Sequence, residues 1–595
     1  TGPLIGVLFR QLFRGTLKNI RPSLKKTIEK KNYVNIMDFI NERKLTSSIM
    51  YHFGTGTWSL SKTNNVNTGV VQLLSRINYM SIMSHVTRTN TPINKDGKCI
   101  KPRQLNLTQW GLLCCSESPE GGSVGLVNNM SILSSVTIGD SSNLIIRILK
   151  KLKHVQETTK SKRAVPISIN GDQTLYVQTR YKKKVLSDIL DLKLKNIIPM
   201  DSSVMLSRIT NGINIYSDPG RLVRCVFISS RIKEIAAILN ETKDVKMIIH
   251  KLYENLCIEW ICKDYEMDSC CVAKTFDEYK VNHSKYTHVE ITQSSIFGIT
   301  ASCQVLCQFN QAPRNIYQCA MGKQSLGISF LNYKNRFDMH TFMLDHFTRP
   351  ITSSHFENIM NPLPTGIPTV VGIASSGNNQ EDSLILNKFC IERGFASITY
   401  YRVFSDEVDM KRTESDSSKF EKPNPATCMN MKNANYQLLN KYGYVDKGTR
   451  VKKNDVIIGK TSVVSVNGKR VRKCSSTVIT SDSHEGVIDD ILFTTNSENH
   501  KIIKVKIRIN RKPQIADKFS SRHGQKGTVG FIYPTPDSIF SVSTGCVPDI
   551  IINPHAVPSR MTIGQLYEST MNKVSCITGK HVNGTSFRSM DMKQV

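Results

Sequence analysis

Lys504, Lys506 and Arg508 alternate with Val505, Ile507 and Ile509. Only an extended strand has a period of two, so the stretch predicts a β-strand with three charges on one face and three branched apolar groups on the other. A solvated face is the plain reading of the charged side. Upstream, Val463-Val464-Ser465-Val466 meets Asn467-Gly468, the strongest short hairpin signal. Residues 445–512 together read as the most plainly β part of the chain. Residues 68–87 instead mix apolar and polar side chains at helical spacing until Thr89-Asn90-Thr91-Pro92, which predicts a helix broken there. The predicted class is mixed α+β. At about 100–200 residues per domain, a chain of 595 residues is multidomain.

Lys and Arg number 79 against 48 Asp and Glu, a formal net charge of +31. An excess of this size makes a polyanion, nucleic acid first, the expected partner; a merely solubilising surface is the alternative. No apolar run reaches the roughly 18 residues a membrane span needs, so no membrane partner is expected. The 16 cysteines are thinly spread, with no C-x-x-C pair, and read as reduced thiols of an intracellular protein. The densest group, Cys257, Cys262, Cys270 and Cys271, lacks the spacing of paired zinc ligands. It reads as buried small hydrophobes, with a cysteine metal site as the alternative. Residues 1–13 read as the middle of an amphipathic helix (Leu4, Val7, Leu8, Leu12), with no acid before Glu29. An acid-poor transit peptide is one reading; a piece of a longer chain, cut at both ends, is the other and is preferred.

Several motifs are decoys. Gly459-Lys460-Thr461 imitates the end of a P-loop, but the required earlier Gly is Asn454. Gly121, Gly122 and Gly125 would form a poor phosphate nest beside Glu117 and Glu120, so a tight structural turn is expected. His340, His346 and His355 share no ligand spacing on one helix face.

Four tracts combine Arg or Lys with Gly, Pro and short polar residues. They are 313–324, holding Arg314, Tyr317 and Gln324; 377–383, holding Glu381 and Asp382; 517–527, holding Lys518, Arg522-His523-Gly524-Gln525 and Lys526; and 553–562, holding Arg560. This is loop chemistry suited to phosphate. An Arg fork grips two oxygens, Lys is a mobile point charge, and Gly lets backbone approach a ligand. An adjacent Glu-Asp pair suits a hard cation such as Mg²⁺. Any one tract could be an ordinary charged turn.

Together, in this order, the tracts resemble the second-largest, β-like subunit of multisubunit DNA-directed RNA polymerases. Arg88-Thr89-Asn90-Thr91-Pro92, Lys101-Pro102-Arg103-Gln104-Leu105 and Ser118-Pro119-Glu120-Gly121 resemble that family's fork. Gln380-Glu381-Asp382-Ser383 and residues 522–527 are closer to eukaryotic, archaeal and large-DNA-virus versions than to bacterial ones. The resemblance implies the end of a lobe over residues 1–48, a fork over 49–135 and external modules over 136–199 and 200–297. Hybrid-binding parts would follow over 298–400 and 513–595, the second incomplete, on either side of a wall over 401–512.

The resemblance further implies template-directed nucleotidyl transfer, with Mg²⁺ shared with the largest subunit and the NTP. By matching position, Arg314 and Arg560 would contact NTP phosphates, and Lys518 and Lys526 the RNA backbone near its 3′ end. Gln324 would touch the hybrid and Tyr317 would join the NTP and RNA contacts. Lys518, Lys526 and Arg560 are the candidate catalytic residues. Glu381 and Asp382 would lie near the NTP-borne Mg²⁺, acting through water. The implied partners are the largest, β′-like subunit and smaller subunits, the DNA template, the RNA–DNA hybrid and NTPs. The Asp-rich loop of the family belongs to the largest subunit, so the chain would contribute half an active site and not act alone. The family's zinc-bearing clamp has no counterpart here, and zinc is not expected. A nuclear location is implied for a cellular source; for a viral one, host cytoplasm, virion or nucleus. Two departures stand out: Ala516 where Gly is usual, and Asn378 where an aromatic is common. The alternative function is a non-catalytic, basic nucleic-acid-binding remnant of the same fold.

Overall fold

The computed structural model describes residues 2–30, 35, 39, 42–58, 69–158, 164–207, 211–242, 244–268, 270–408, 418–466, 469–496 and 499–588. They form two compact units, residues 1–75 with 90–97 and residues 76–89 with 98–595. In the first, helix Gly2–Glu29 is followed by helix Glu42–Thr55. Leu8 and Trp58 are buried there, and the Trp58 indole donates to the Leu4 carbonyl at 3.2 Å. No helix among the described residues is long and apolar enough to cross a membrane.

In the second unit helices and sheets mix, as the patterning predicts, but the helix expected over 68–87 is confined to Tyr79–Val86. Asn78 stops it. Its side-chain oxygen accepts the Ser81 N–H at 2.7 Å in a capping box. Its amide nitrogen donates to the carbonyls of Gly322 and Ser325 at 2.9 and 2.8 Å. An Asn bonded on both sides and fully buried overrides the helical spacing before it.

One five-stranded sheet takes strands Val155–Gln156, Ala164–Ile169, Asp172–Gln178, Ser203–Leu206 and Ile213–Tyr216, from both sides of residue 199. The next part of the chain shares Cys257, Cys262, Cys270 and Cys271 among three separate apolar clusters, which is the placement of small hydrophobes. The turn at 116–122 is structural. Glu117, buried within it, accepts from Lys323 Nζ at 2.6 Å and Ser84 Oγ at 2.5 Å.

The β-rich region builds a sheet ordered His340–Leu344, Ile398–Val408, Lys501–Arg511, Gly486–Thr495 and Arg450–Val451, antiparallel throughout. Val505, Ile507 and Ile509 enter its core as the alternation predicts. Strands Lys460–Val466 and Lys469–Cys474 pair antiparallel; the Asn467-Gly468 turn between them lies outside the described residues. Lys460 of the P-loop decoy is bound to Asp406 at 2.8 Å.

The solvated-face reading fails at one position. Arg508 is exposed, but Lys506 is 1 % exposed. Its ammonium donates to the Lys334 carbonyl at 2.5 Å and lies 5.3 and 5.1 Å from the Phe337 and Tyr401 ring centroids. The segment around residues 334–337 covers the middle of this face, and the lysine survives burial because carbonyl and aromatic groups, with the Asp489 carboxylate at 3.7 Å, replace its water. Lys506→Ala is expected to destabilise the chain by about 2–4 kcal/mol, from lost packing and an orphaned carbonyl. Arg508→Ala on the same strand should stay within about 0.5 kcal/mol. Urea midpoints of the two variants check this, and equal losses would contradict it.

Candidate active site

A further five-stranded sheet positions the loops. Its order is Val371–Ile373, Ile550–Ile552, Ser383–Asn387, Lys526–Tyr533, Lys518–Ser520, packed through Leu384, Leu386, Val529 and Ile550. Ser383–Asn387 runs parallel to Lys526–Tyr533 and antiparallel to Ile550–Ile552. The turn before residue 383, the hairpin 521–525 and the loop after residue 552 therefore emerge at one end of the sheet.

The fourth tract reaches the same end as helix Ala312–Gly322. The Gln311 N–H donates to the Met561 carbonyl at 3.2 Å. Gly524, at φ +73°, lies so close to the Arg314 carbonyl oxygen that any Cβ would collide with it. All four tracts therefore meet, although Arg314 and Gly524 lie 210 residues apart in sequence.

A cleft of about 1900 Å³ opens there, lined by Gln324, Glu381, Asp382, Lys518, Lys526 and Arg560 among others. That exceeds the roughly 300–1,000 Å³ of a small-molecule pocket and suits an extended ligand. Lys518 stands opposite Thr528 and Ser520 opposite Lys526, so both lysines share the exposed face of the hairpin while Phe519 stacks on Phe395. Arg314 and Tyr317 are not among the lining residues. The Tyr317 ring instead receives two cations, the Arg314 guanidinium at 5.0 Å and Lys526 Nζ at 5.5 Å, which holds Lys526 toward the helix.

Arg560 is gripped on both prongs. One donates to Gln525 Oε1 at 2.6 Å and the other is ion-paired with Asp382. Gln525 is in turn fixed by donating to Thr562 Oγ1 at 2.7 Å and the Ala556 carbonyl at 3.0 Å. Glu381 adopts a left-handed φ of +54°. Buried Asn379 ties its turn, accepting the Ser376 N–H and donating to the Ala374 carbonyl, both at 2.8 Å. Asn378 is exposed and only reaches the Tyr533 hydroxyl at 3.2 Å, so the packing beneath the carboxylates comes from residue 379. At the other departure Ala516 sits at φ +78°, the conformation a Gly would hold without strain.

Glu381 and Asp382 are exposed, and no group of three or more His, Cys, Asp or Glu among the described residues could hold a metal. Two adjacent carboxylates fit a cation that brings oxygen ligands of its own, as Mg²⁺ does on a polyphosphate, and not one caged by protein.

Beneath the hairpin lies a charge cluster that motif reading missed. His523 is fully buried and its Nε2 contacts the Glu568 carboxylate, while Nδ1 accepts from Asn310 at 2.9 Å. Arg522 reaches the same carboxylate at 2.6 Å and the Thr352 carbonyl at 2.7 Å. Two members of the Arg-His-Gly-Gln-Lys tract are thus anchors, although Arg522 lines the cleft alongside Gln525 and Lys526. Helical spacing gives the signal for the missed partner: Gln565, Glu568 and Asn572 share one face of helix Ile563–Thr578 with buried Met571.

Burial alone would raise the Glu568 pKa, but Arg522 and His523 together bring it down to about 2. A carboxylate depressed on folding contributes stability above its unfolded pKa of about 4.3, and that stability is lost as pH falls toward the folded value. The wild-type urea midpoint should therefore drop between about pH 4.5 and pH 2. Glu568→Gln should start about 3 kcal/mol lower at pH 7 and fall less steeply. Parallel pH profiles would contradict this.

The family model described as RNA polymerase Rpb2, domain 6, matches residues 300–595, and the model for domain 3 matches residues 72–136. The chain is 35 % identical to DNA-directed RNA polymerase II subunit 2 of Arabidopsis thaliana, over all of this chain and 52 % of the relative. It is 34 % identical to the RPB2 subunit of Schizosaccharomyces pombe RNA polymerase II, over all of this chain and 54 % of that protein. Against the Rpo2 subunit of Sulfolobus acidocaldarius RNA polymerase it is 31 % identical, over 98 % of this chain and 53 % of the relative. The chain thus spans about half the length of these relatives. With both models falling in one protein type and eukaryotic and archaeal relatives aligned along nearly its full length, the chain belongs to the family of second-largest subunits of DNA-directed RNA polymerase.

Proposed function

We propose that this chain forms half of the active centre of a DNA-directed RNA polymerase, holding the RNA–DNA hybrid and the incoming NTP during template-directed RNA synthesis. The observation that carries the reading is the meeting of four separate tracts on one cleft with Lys518, Lys526 and Arg560 along it. In this reading the two lysines hold the RNA backbone near its 3′ end, Arg560 takes phosphate oxygens of the NTP, and Gln324 touches the hybrid. Arg314 and Tyr317 act one step back, steering Lys526 through the shared ring. Contacts of this kind go to phosphates and carry no base information, which suits an enzyme that copies every sequence.

Glu381 and Asp382 would hold the NTP-borne Mg²⁺ through water; such an ion stabilises charge on the phosphoryl and attacking oxygens. Asp382 is paired with Arg560 in the free chain, so nucleotide phosphate competes for Arg560 and releases the carboxylate toward the cation. The chain works with a larger, β′-like subunit that supplies the remaining acidic groups, and with smaller subunits and a DNA template. In this reading the fork, external, hybrid-binding and wall modules follow in that order, with one sheet shared across residue 199 and strand Ile398–Val408 running across residue 400. The eukaryotic RNA polymerase II relatives favour a nuclear location.

The test is Arg560→Ala in the assembled polymerase. Losing a charge-assisted fork should lower kcat/KM for NTP by about 10–100-fold, with assembly intact because the side chain lies at the cleft surface. Unchanged extension at limiting NTP would overturn the assignment.

A further inference from the structure

Tyr400, Arg402 and Phe404 lie on one face of strand Ile398–Val408, opposite Ile509, Ile507 and Val505. This is the core face of the sheet, and an arginine here calls for a carboxylate. None faces it among the described residues. Asp406, next along the same face, is taken by Lys460 at 2.8 Å and Thr477 at 3.0 Å. Asp482 holds Lys453 Nζ at 2.9 Å, Glu485 accepts the Lys453 N–H at 3.1 Å, and Asp338 holds Arg336 at 2.8 Å.

Cation-forming groups gather instead. His340 stands directly across from Arg402, is hydrogen-bonded to it, and meets the Tyr400 hydroxyl at 2.7 Å. The Arg511 guanidinium lies 4.6 Å over the Tyr400 ring. His484 packs edge-on against Phe404 at 5.8 Å. Arg402 Nε and His484 Nδ1 are sealed from water with no hydrogen-bond partner among the described residues, a costly state that calls for an explanation. Burial and then the charge of Arg402 hold both imidazoles below their ordinary pKa, with Arg511 adding to the effect at His484. His340 is exposed, so the cluster is open to solvent.

We propose that Arg402, Arg511, His340 and His484 form a binding site for a phosphate group. Two guanidinium forks supply charged donors suited to a tetrahedral oxyanion, exposed His340 stands at the rim, and one Arg511 nitrogen is already given to the Ser483 carbonyl at 3.1 Å, leaving its other prong for the anion. None of the four residues lines the cleft, and the site does not depend on the reading of that cleft. The phosphate belongs either to a nucleic-acid backbone or to a free phosphate or terminal monophosphate.

Isothermal titration of the full chain with inorganic phosphate tests the site, with Arg560→Gln included to separate it from the cleft. Saturable binding should persist in Arg560→Gln and weaken about tenfold or more in Arg402→Gln and in Arg511→Gln. If Arg402→Gln does not fold, Arg511→Gln and His484→Asn carry the test. No phosphate binding to the wild type, or binding lost in Arg560→Gln but kept in the Arg402 and Arg511 variants, overturns the proposal. A short RNA without terminal phosphates then distinguishes the sources. Competition with inorganic phosphate assigns the site to a phosphodiester backbone, and lack of competition assigns it to free or terminal phosphate.

Discussion

Glu568 sits under the hairpin 521–525 and accepts from Arg522 while contacting buried His523. Everything at the cleft is referenced to that carboxylate. His523 Nδ1 is taken by Asn310, whose side-chain oxygen also accepts the Gly564 N–H at 3.0 Å. One hydrogen-bond chain thus joins the start of helix Ala312–Gly322, the hairpin and the start of helix Ile563–Thr578. Gly524 lets the hairpin touch the Arg314 backbone, and Gln525 carries the constraint on to Arg560. A buried charge cluster is poor evidence for net stability but strong evidence for a fixed arrangement, because each member removed leaves another uncompensated. Here the arrangement fixes where the exposed cations stand.

The same logic separates anchors from working groups within a single tract. Arg522 and His523 are as basic as Lys526 in sequence, yet they spend their donors inside the protein, and Lys526 remains exposed. Arg560 lies between these cases, held by Gln525 and Asp382 at the edge of the cleft. Such a group is preorganised and still exchangeable, because an exposed carboxylate is a partner that phosphate can replace. Ala516 in a left-handed turn and Glu381 at positive φ add local strain on the two loops beside it.

Much of this is legible in the sequence. Period two located the strand Lys501–Arg511 and its apolar face, and the loop chemistry of the four tracts marked residues that do line one cleft. Other features were not legible, for definite reasons. The alternation around Lys506 is identical for a solvated and a covered face, and only the distant segment near residue 334 decides between them. The spacing over 68–87 was helical, but Asn78 answers to carbonyls some 245 residues away. Glu568 drew no reading from the sequence, since its partners are 45 and 46 residues distant. That Arg402 faces no carboxylate among the described residues could not be seen at all, because it is a property of the fold.

The account stands on the claim that these converging loops serve nucleotide addition. The direct measurement is to isolate the tagged chain with its partners from its source and assay the complex for NTP-dependent extension of RNA on an RNA–DNA scaffold. The account predicts extension that co-purifies with the chain and with a larger partner subunit. Scaffold binding with no extension in any complex containing the chain would contradict it and leave a non-catalytic nucleic-acid-binding protein.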